Sequence, residues 1–290
     1  LESARALLAK TYLAAAWDLD KKEYFSKAAQ TADDVIAKRS LVTPFANLWR
    51  ADYSGDDNEE FIWDVEYDYA TATNTVSGGH PWSSFYCNHI GGQEDHGKGS
   101  TSAFIATLHA LQYFEKGDVR YEVTFMKELP DIVTASNYWY WDWYRNGETF
   151  IGTPLKRYYP AWYETEEDIE AWKALDPENR KSTWILPMSD HTRDPQEYMP
   201  GEINYEAFVT YSYGGSPCRK FDDSNTGSYS NKTDYRDIHI ITLSEVYLIA
   251  AEAYFKAGNN ENALARLNEV RRRAQLNAVT SIDVDAILKE

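Results

Sequence analysis

The segment SEVYLIAAEAYFKAGNNENALARLNEVRRRA, residues 244–274, admits few folds. Tyr247, Ala251 and Tyr254 recur at helical intervals before Gly258-Asn259-Asn260, and Ala263, Leu267 and Val270 do so after it. Two apolar stripes broken by Gly-Asn-Asn specify two helices joined by a short turn, because glycine and asparagine accept the left-handed cap conformation. Ala251 and Ala263 stand where the helices cross, and a larger side chain there would hold the backbones apart. The opening of the chain has the same design. ARALLAKTYLAAAWDL places Leu7, Leu8, Tyr12 and Leu13 at helical intervals with alanine between them, and YFSKAAQTADDVIAK sets Phe25, Ala28, Ala29, Ala32, Val35 and Ile36 on one face.

The order large, small, aromatic, Ala, large, apolar in the second hairpin matches tetratricopeptide spacing. The first hairpin carries it at Ala9, Tyr12, Ala28, Ala32 and Val35, with seven extra residues expected in its turn. A repeat of this kind cannot bury its small-residue stripe alone, so the hairpins 2–38 and 243–274 are expected to share one helical layer although roughly 200 residues separate them. The intervening chain holds all ten Pro and nine of the ten Trp, with alternating runs such as FIWDVEYDY and FVTYSYGG and helical stretches at STSAFIATLHALQYFEKG and EEDIEAWKAL. The expected architecture is mainly α: tetratricopeptide-like hairpins, an α-α superhelix, packed against a loop-rich insert with small β elements. Its divisions are 1–40, 41–236 and 237–290, all parts of one domain.

Charge excludes one class of partner. Lys and Arg number 29 against 46 Asp and Glu, a formal net charge of −17, and the only basic run is Arg271-Arg272-Arg273. Nucleic-acid recognition needs a basic stripe, so none is expected, and a neutral or cationic ligand fits better. The three arginines lie in the last turn of a helix, where cations suit the macrodipole, with Glu269 nearby; they are not expected to form a phosphate site. No apolar run approaches the roughly 18 to 20 residues that span a bilayer. Cys87 and Cys218 permit one disulfide without establishing it, and neither has a CxxC partner.

The insert concentrates aromatic rings beside polar groups. HPWSSFYCNHIGGQEDHGKG, residues 80–99, sets Trp82, Phe85 and Tyr86 in what reads as a long loop, with Asn88, Gln93 and Asp95 as hydrogen-bonding groups. SNYWYWDWYRNG, residues 136–147, read as an extended chain, places Trp139, Trp141 and Trp143 on one face and Tyr138, Tyr140, Asp142 and Tyr144 on the other. Two uses are open for such rings: packing in a core strand, or stacking on the apolar face of a sugar while neighbouring Asp and Asn take its hydroxyls. The preferred ligand-binding set is Trp82, Phe85, Tyr86, Asn88 and Asp95, with Trp139, Trp141 and Trp143 as the second choice.

Other chemistry has little support. His80, His89 and His96 lie close in sequence but lack zinc spacing and straddle Gly91-Gly92, so they read as satisfied or solvent-facing. SGDDNEEF lacks the glycine and terminal Glu of a calcium loop. No nucleotide-binding or hydrolase-elbow motif is present. No cofactor, no metal and no catalytic residue is expected.

Several phrases resemble the SusD/RagB family of outer-membrane nutrient-binding, starch-binding-like lipoproteins. The stretch from Arg236 to Ala274 is similar to that family's late repeat, an Arg-led strand running into "L-x-E-V-Y-L-I-x-A-E-A" and then "A-L-x-x-L-N-x-V-R-x-R-A", and VDAILKE resembles the start of the next helix. NEEFIWDVEYDY resembles its "N-x-E-x-I" strand, and STSAFIATLHALQYFEKGDVRYEVTFM its helix ending in "D-x-R" before a strand. The likeness is most specific at 1–38, 99–126 and 236–290. It implies non-catalytic capture of oligosaccharide nutrients at the cell surface, within polysaccharide utilization, and delivery to a SusC-like TonB-dependent transporter of the outer membrane. Family members begin with a lipoprotein signal, a lipidated Cys and further repeats, so this chain is expected to be a fragment whose lipid anchor lies outside it. A tetratricopeptide interaction scaffold and a glycoside hydrolase are the alternatives.

Overall fold

The computed structural model describes residues 1–50, 54–67, 79–86, 104–130, 149–189, 198–211, 214–221 and 234–290. It divides into two compact units. The first comprises Leu1–Glu66, Gly117–Val119 and Asp237–Glu290; the second comprises Tyr67–Lys116 and Arg120–Arg236. Residues 41–66, which the sequence pattern groups with the insert, therefore belong with the hairpins.

The first unit contains α1 (Glu2–Asp18), α2 (Glu23–Ile36), β1 (Phe61–Val65), β2 (Ile238–Thr242), α3 (Leu243–Lys256), α4 (Asn260–Arg273) and α5 (Val284–Lys289). Side chains start the last three helices: Thr242, Asn259 and Asp283 accept from the backbone N–H of Glu245, Asn262 and Ala286 at 3.4, 3.1 and 2.7 Å. Each satisfies one of the four amide donors that a helix leaves unpaired at its start. Gly258, at φ +84°, makes the left-handed turn between α3 and α4.

The two hairpins form one continuous layer, with α2 against both α1 and α3, and α3 against α4. Alanine makes this possible. Ala28 and Ala29 of α2 meet Ala253 of α3, with Tyr12, Leu13 and Tyr254 closing around them. Ala6, Ala9, Ala32 and Ala250 share a core with Val35, Ile62, Ile241, Val246 and Ile249. Two sequence expectations change here. Leu7 and Leu8 are 45% and 42% exposed, because α1 presents its alanine stripe, Ala6, Ala9 and Ala16, to the layer and the two leucines lie around the helix from it. The seven extra residues of the first hairpin also do not form a long turn. The turns span residues 19–22 and 257–259, so helical residues after Tyr12 and before Ala28 absorb most of the difference, as their alanine content favours.

Charged groups tie the layer to the two-stranded sheet. β1 and β2 pair antiparallel, with Phe61 opposite Thr242 and Val65 opposite Ile238. Arg39 holds Glu2 at 2.6 Å and the carbonyls of Glu59 and Phe61 at 2.7 and 3.1 Å, while Ser3 donates to the Ile62 carbonyl at 2.7 Å. Glu60, 1% exposed, accepts from Arg273 Nη1 with both oxygens, at 2.6 and 2.8 Å, and from the Val42 N–H at 2.9 Å. Asp33 of α2 receives Tyr254 Oη of α3 at 2.6 Å and Arg266 Nε of α4 at 2.8 Å. The three consecutive arginines have separate carboxylates: Arg271 with Glu290, Arg272 with Glu269, Arg273 with Glu60. Their charge is met within the unit by these carboxylates.

The second unit contains a three-stranded sheet. Glu128–Pro130 pairs antiparallel with Leu155–Tyr158, which pairs parallel with Trp184–Ile185. Helix Glu166–Leu175 forms as expected, opened by a reciprocal capping box in which Thr165 Oγ1 accepts from the Asp168 N–H at 3.2 Å and Asp168 from the Thr165 N–H at 2.8 Å. One core gathers Leu111, Tyr121, Phe125, Ala161 and Met188, and another Tyr159, Leu186 and Ala207. Three expectations fail locally. Within the described residues 104–117 the helix is confined to Leu108–Leu111, because Thr107 caps it by accepting from the Ala110 N–H and the Phe104 N–H is held by the Phe85 carbonyl. Asp118-Val119-Arg120 opens a helix, Val119–Thr124, where the motif suggested that one ends. FVTYSYGG is not a strand at its start: Ala207–Thr210 is a helical turn, and Gly214 backs so closely onto it that a Cβ would lie 1.7 Å from the Ala207 oxygen.

Removing Arg273 strands the Glu60 carboxylate in the interior, so Arg273→Met is expected to cost about 3–5 kcal/mol in urea unfolding, and the Glu60→Gln/Arg273→Met pair less than the sum of its single changes. Equal additive losses would show that the two are uncoupled. Burial and the Asp33 carboxylate push the Tyr254 phenol up to about 12. A folded pKa above the ordinary value of 10.0 stabilises below that value, and the contribution is lost as pH rises through 12. Stability measured between pH 10 and 12 is therefore expected to fall less steeply in Tyr254→Phe than in the parent protein.

Candidate functional site

In the second unit Trp82 and Tyr86 lie four residues apart on a single helical turn, Trp82–Tyr86, where the spacing brings both rings to one side. Their centroids are 6.2 Å apart. Phe221, from the short 3-10 turn Arg219–Phe221, meets Trp82 edge-on at 5.2 Å and Tyr86 at 4.7 Å. Phe104 lies nearly parallel to Tyr86 at 5.3 Å and edge-on to Phe85 at 6.0 Å. Trp82, Phe85, Tyr86 and Phe221 are half-buried, and Phe104 is 53% exposed. The rings thus form a patch that is anchored but open to solvent.

Backbone and histidine contacts hold it. Main-chain bonds run from Phe104 N–H to the Phe85 carbonyl, 3.0 Å, and from Cys218 N–H to the Tyr86 carbonyl, 3.1 Å. Buried His80 exchanges two main-chain bonds with Asp234, at 3.0 and 2.7 Å. Its Nε2 lies 2.8 Å from the Arg236 carbonyl and its Nδ1 takes the Trp82 N–H at 3.3 Å, which assigns the proton to Nε2. The imidazole and Trp82 ring centroids are 5.5 Å apart, with their planes inclined at 66°. His80 is therefore a satisfied histidine that positions Trp82. Among the described residues every ring touching Trp82 does so edge-on or steeply inclined, and none lies parallel on its face. Burial pushes the Cys218 thiol up to about 11, so it stays protonated beside the patch at neutral pH.

The unit also has a polar cleft of about 440 Å³ lined by residues that include Glu122, Lys127, Tyr158, Glu164 and Trp172. Lys127 Nζ sits 2.8 Å from Glu164 and 3.6 Å from Glu122. Burial presses its ammonium down, but the two carboxylates outweigh burial and hold it above its ordinary range. Tyr158 stacks on Trp172 at 3.8 Å with planes 5° apart, and Arg180 covers Trp172 at 4.4 Å. Trp172 Nε1 donates to Glu128 at 2.5 Å, and Glu128 also accepts the Phe150 N–H at 2.9 Å. Burial raises the Glu128 carboxyl despite these bonds. With Tyr158 and Arg180 over its ring, Trp172 is a core residue.

Of the residues singled out in sequence, Trp82, Phe85 and Tyr86 come together, on a helical turn and not on the loop expected there. Asn88, Asp95, Gln93, His89, His96, Cys87, Trp139, Trp141 and Trp143 lie outside the described residues. Phe104 and Phe221 escaped sequence reasoning. Phe104 sits in a stretch that scans as helix, and Phe221 in a short polar context, CRKFDD; only the pairing of three distant segments unites them.

Comparison with curated protein sequences returns no match. Solved structures do match. A SusD superfamily protein from Parabacteroides distasonis is 17% identical, with a TM-score of 0.56 over 98% of this chain and 46% of its own. A structure solved with a xylogluco-oligosaccharide is 20% identical, with a TM-score of 0.56 over 99% and 46%. Surface glycan-binding protein A from Bacteroides thetaiotaomicron, in complex with laminarihexaose, is 16% identical, with a TM-score of 0.53 over 98% and 50%. At these identities the likeness establishes the fold, and the chain spans about half the length of the structures it matches. The SusD family model matches residues 59–288, which takes in β1, β2, α3, α4 and the whole second unit, and by that match the chain belongs to the SusD family.

Proposed function

We propose that this protein binds oligosaccharide non-catalytically at the cell surface and that the aromatic patch of Trp82, Phe85, Tyr86, Phe104 and Phe221 supplies stacking contacts. The observation that carries the reading is Trp82: a half-buried ring whose neighbours Tyr86, Phe221 and His80 all meet it at steep interplanar angles, with no parallel partner among the described residues. Such a ring suits the apolar face of a pyranose. The laminarihexaose and xylogluco-oligosaccharide complexes of structural relatives support the same ligand class. Asn88 and Asp95 follow closely in sequence and are proposed to take hydroxyls; Trp139, Trp141 and Trp143 are the second choice for stacking. Family membership supports a place on the outer membrane and delivery of nutrient glycans to a SusC-like TonB-dependent transporter.

The hydrolase reading is weaker. Burial raises the Glu122 carboxyl, as a general acid would need, but Lys127 lies 3.6 Å from Glu122 and 2.8 Å from Glu164 and ties both carboxylates to one ammonium, where a glycosidase needs them to flank the scissile bond.

Isothermal titration of the full-length protein with laminarihexaose and xylogluco-oligosaccharides is expected to give saturable binding to at least one, without release of new reducing ends. Trp82→Ala is expected to weaken that binding by about tenfold, a loss typical of one stacking ring, with little change in melting temperature. Trp172→Ala is expected to do the opposite, costing about 3–5 kcal/mol of stability and leaving affinity intact once folded. Unchanged affinity or a collapse of stability in Trp82→Ala would make the patch structural.

A further inference from the structure

Among the described residues three tryptophans are exposed: Trp17 by 46%, Trp63 by 44% and Trp162 by 40%. Their surroundings differ. The Trp17 ring is covered by the Lys256 ammonium at 4.0 Å and its N–H donates to Glu252 at 2.6 Å, so it belongs to the helical layer. Trp63 lies on β1, and its indole makes no hydrogen bond among the described residues. Trp162 is anchored and uncovered at once. Its Nε1 donates to the Phe114 carbonyl at 2.9 Å. Its ring neighbour among the described residues, Tyr163, meets it edge-on, with centroids 5.6 Å apart and planes at 76°.

The turn that carries Trp162 is fixed by one residue, Glu164. The Glu164 N–H closes the turn on the Ala161 carbonyl at 2.9 Å, and Glu164 Oε2 accepts the Ala161 N–H in return. Glu164 Oε1 accepts from Lys127 Nζ at 2.8 Å and from Tyr158 Oη at 3.2 Å, which ties the turn to the strand Leu155–Tyr158. Ala161 and Tyr163 pack inward, against the core of Leu111, Tyr121 and Phe125. The residue left outside between them is Trp162.

Two costs of binding are thereby already met. A ring held at its N–H loses little rotamer freedom when a ligand docks, and because that N–H is paired within the chain, covering the ring strands no donor. What the side chain leaves exposed is carbon and π surface, which the apolar face of a pyranose can cover.

We infer that Trp162 is a second sugar-stacking point, separate from the patch at Trp82. It rests on the ligand class proposed there and uses none of the same residues. One core lies behind both: Cys218, whose N–H holds the Tyr86 carbonyl, packs on the cluster that takes Ala161 and Tyr163.

The test is oxidation of the protein by N-bromosuccinimide, read residue by residue by tandem mass spectrometry, with laminarihexaose and, separately, with a xylogluco-oligosaccharide. At least one of them is expected to slow oxidation of Trp162 several-fold and saturably, in the parent protein and in Trp82→Ala alike, while Trp17 keeps its rate. In isothermal titration Trp82→Ala is expected to retain a weaker, saturable binding that Trp82→Ala/Trp162→Ala loses. Trp162→Ala changes an exposed turn position, so the melting temperature is expected to stay in place. An oxidation rate at Trp162 that neither oligosaccharide changes, protection that disappears in Trp82→Ala, or residual binding that the second change leaves intact would overturn this stacking point. Failure of the Trp82 reading has a different signature: binding unchanged in Trp82→Ala, with Trp162 still protected, would overturn the patch and support Trp162.

Discussion

The buried ion pair between Glu60 and Arg273 holds the first unit together across 213 residues of sequence. One carboxylate takes two contacts from Arg273 and one from the Val42 amide, while its own carbonyl accepts the Leu243 N–H at 2.7 Å. The guanidinium also lies 4.7 Å over Phe45. Segments near residues 42, 60, 243 and 273 therefore converge on a single residue. Desolvating such a pair is expensive, and its replacement by apolar residues can be neutral, so its role is better described as specification than as net stabilisation. Any other register of β1 would leave a charge buried without its partner.

The pair also gives physical meaning to two phrases of the sequence. In Asn58-x-Glu60-x-Ile62, Asn58 Oδ1 accepts the Glu60 and Phe61 amides at 2.7 and 3.3 Å and sets the turn into β1; Glu60 reaches Arg273; Ile62 enters the core. In Val270-Arg271-x-Arg273-Ala274, Val270 packs inward, Arg271 reaches Glu290 at 2.8 Å, Arg273 reaches Glu60, and the Ala274 carbonyl takes the Val119 amide at 3.3 Å. Each position answers to a different contact. Alanine stripes supply close approach along the helical layer, and Asp33 adds a polar lock between α2, α3 and α4.

The second unit solves a different problem, presenting rings to solvent without letting them collapse together. Edge-on contacts and main-chain bonds do this for Trp82, and His80 fixes the amide that starts its turn. Trp172 shows the opposite outcome for the same residue type: Tyr158 and Arg180 cover it, and its indole N–H is spent on Glu128.

Local chemistry was enough to place both hairpins, their alanine crossings, the Gly258 turn and the helix Glu166–Leu175, because helical period, caps and turn residues act over a few neighbours. The helical turn that carries Trp82 and Tyr86 was not legible, because the Gly-rich stretch after it reads as a long loop. Which face of α1 is buried was not, since Leu7 and Leu8 compete with Ala6 and Ala9 on hydrophobicity and lose on size, a criterion set by how near α2 and α3 must come. The limits of the helix Leu108–Leu111 and the turn Ala207–Thr210 depended on the Phe85 carbonyl and on Gly214, both supplied from elsewhere in the chain. The partnership of Glu60 with Arg273 and the meeting of Trp82, Phe104 and Phe221 belong wholly to the tertiary structure. A sequence states which residues are acidic, basic or aromatic, but whether a charge is neutralised or a ring left uncovered is decided by segments far along the chain that packing brings within a few ångströms.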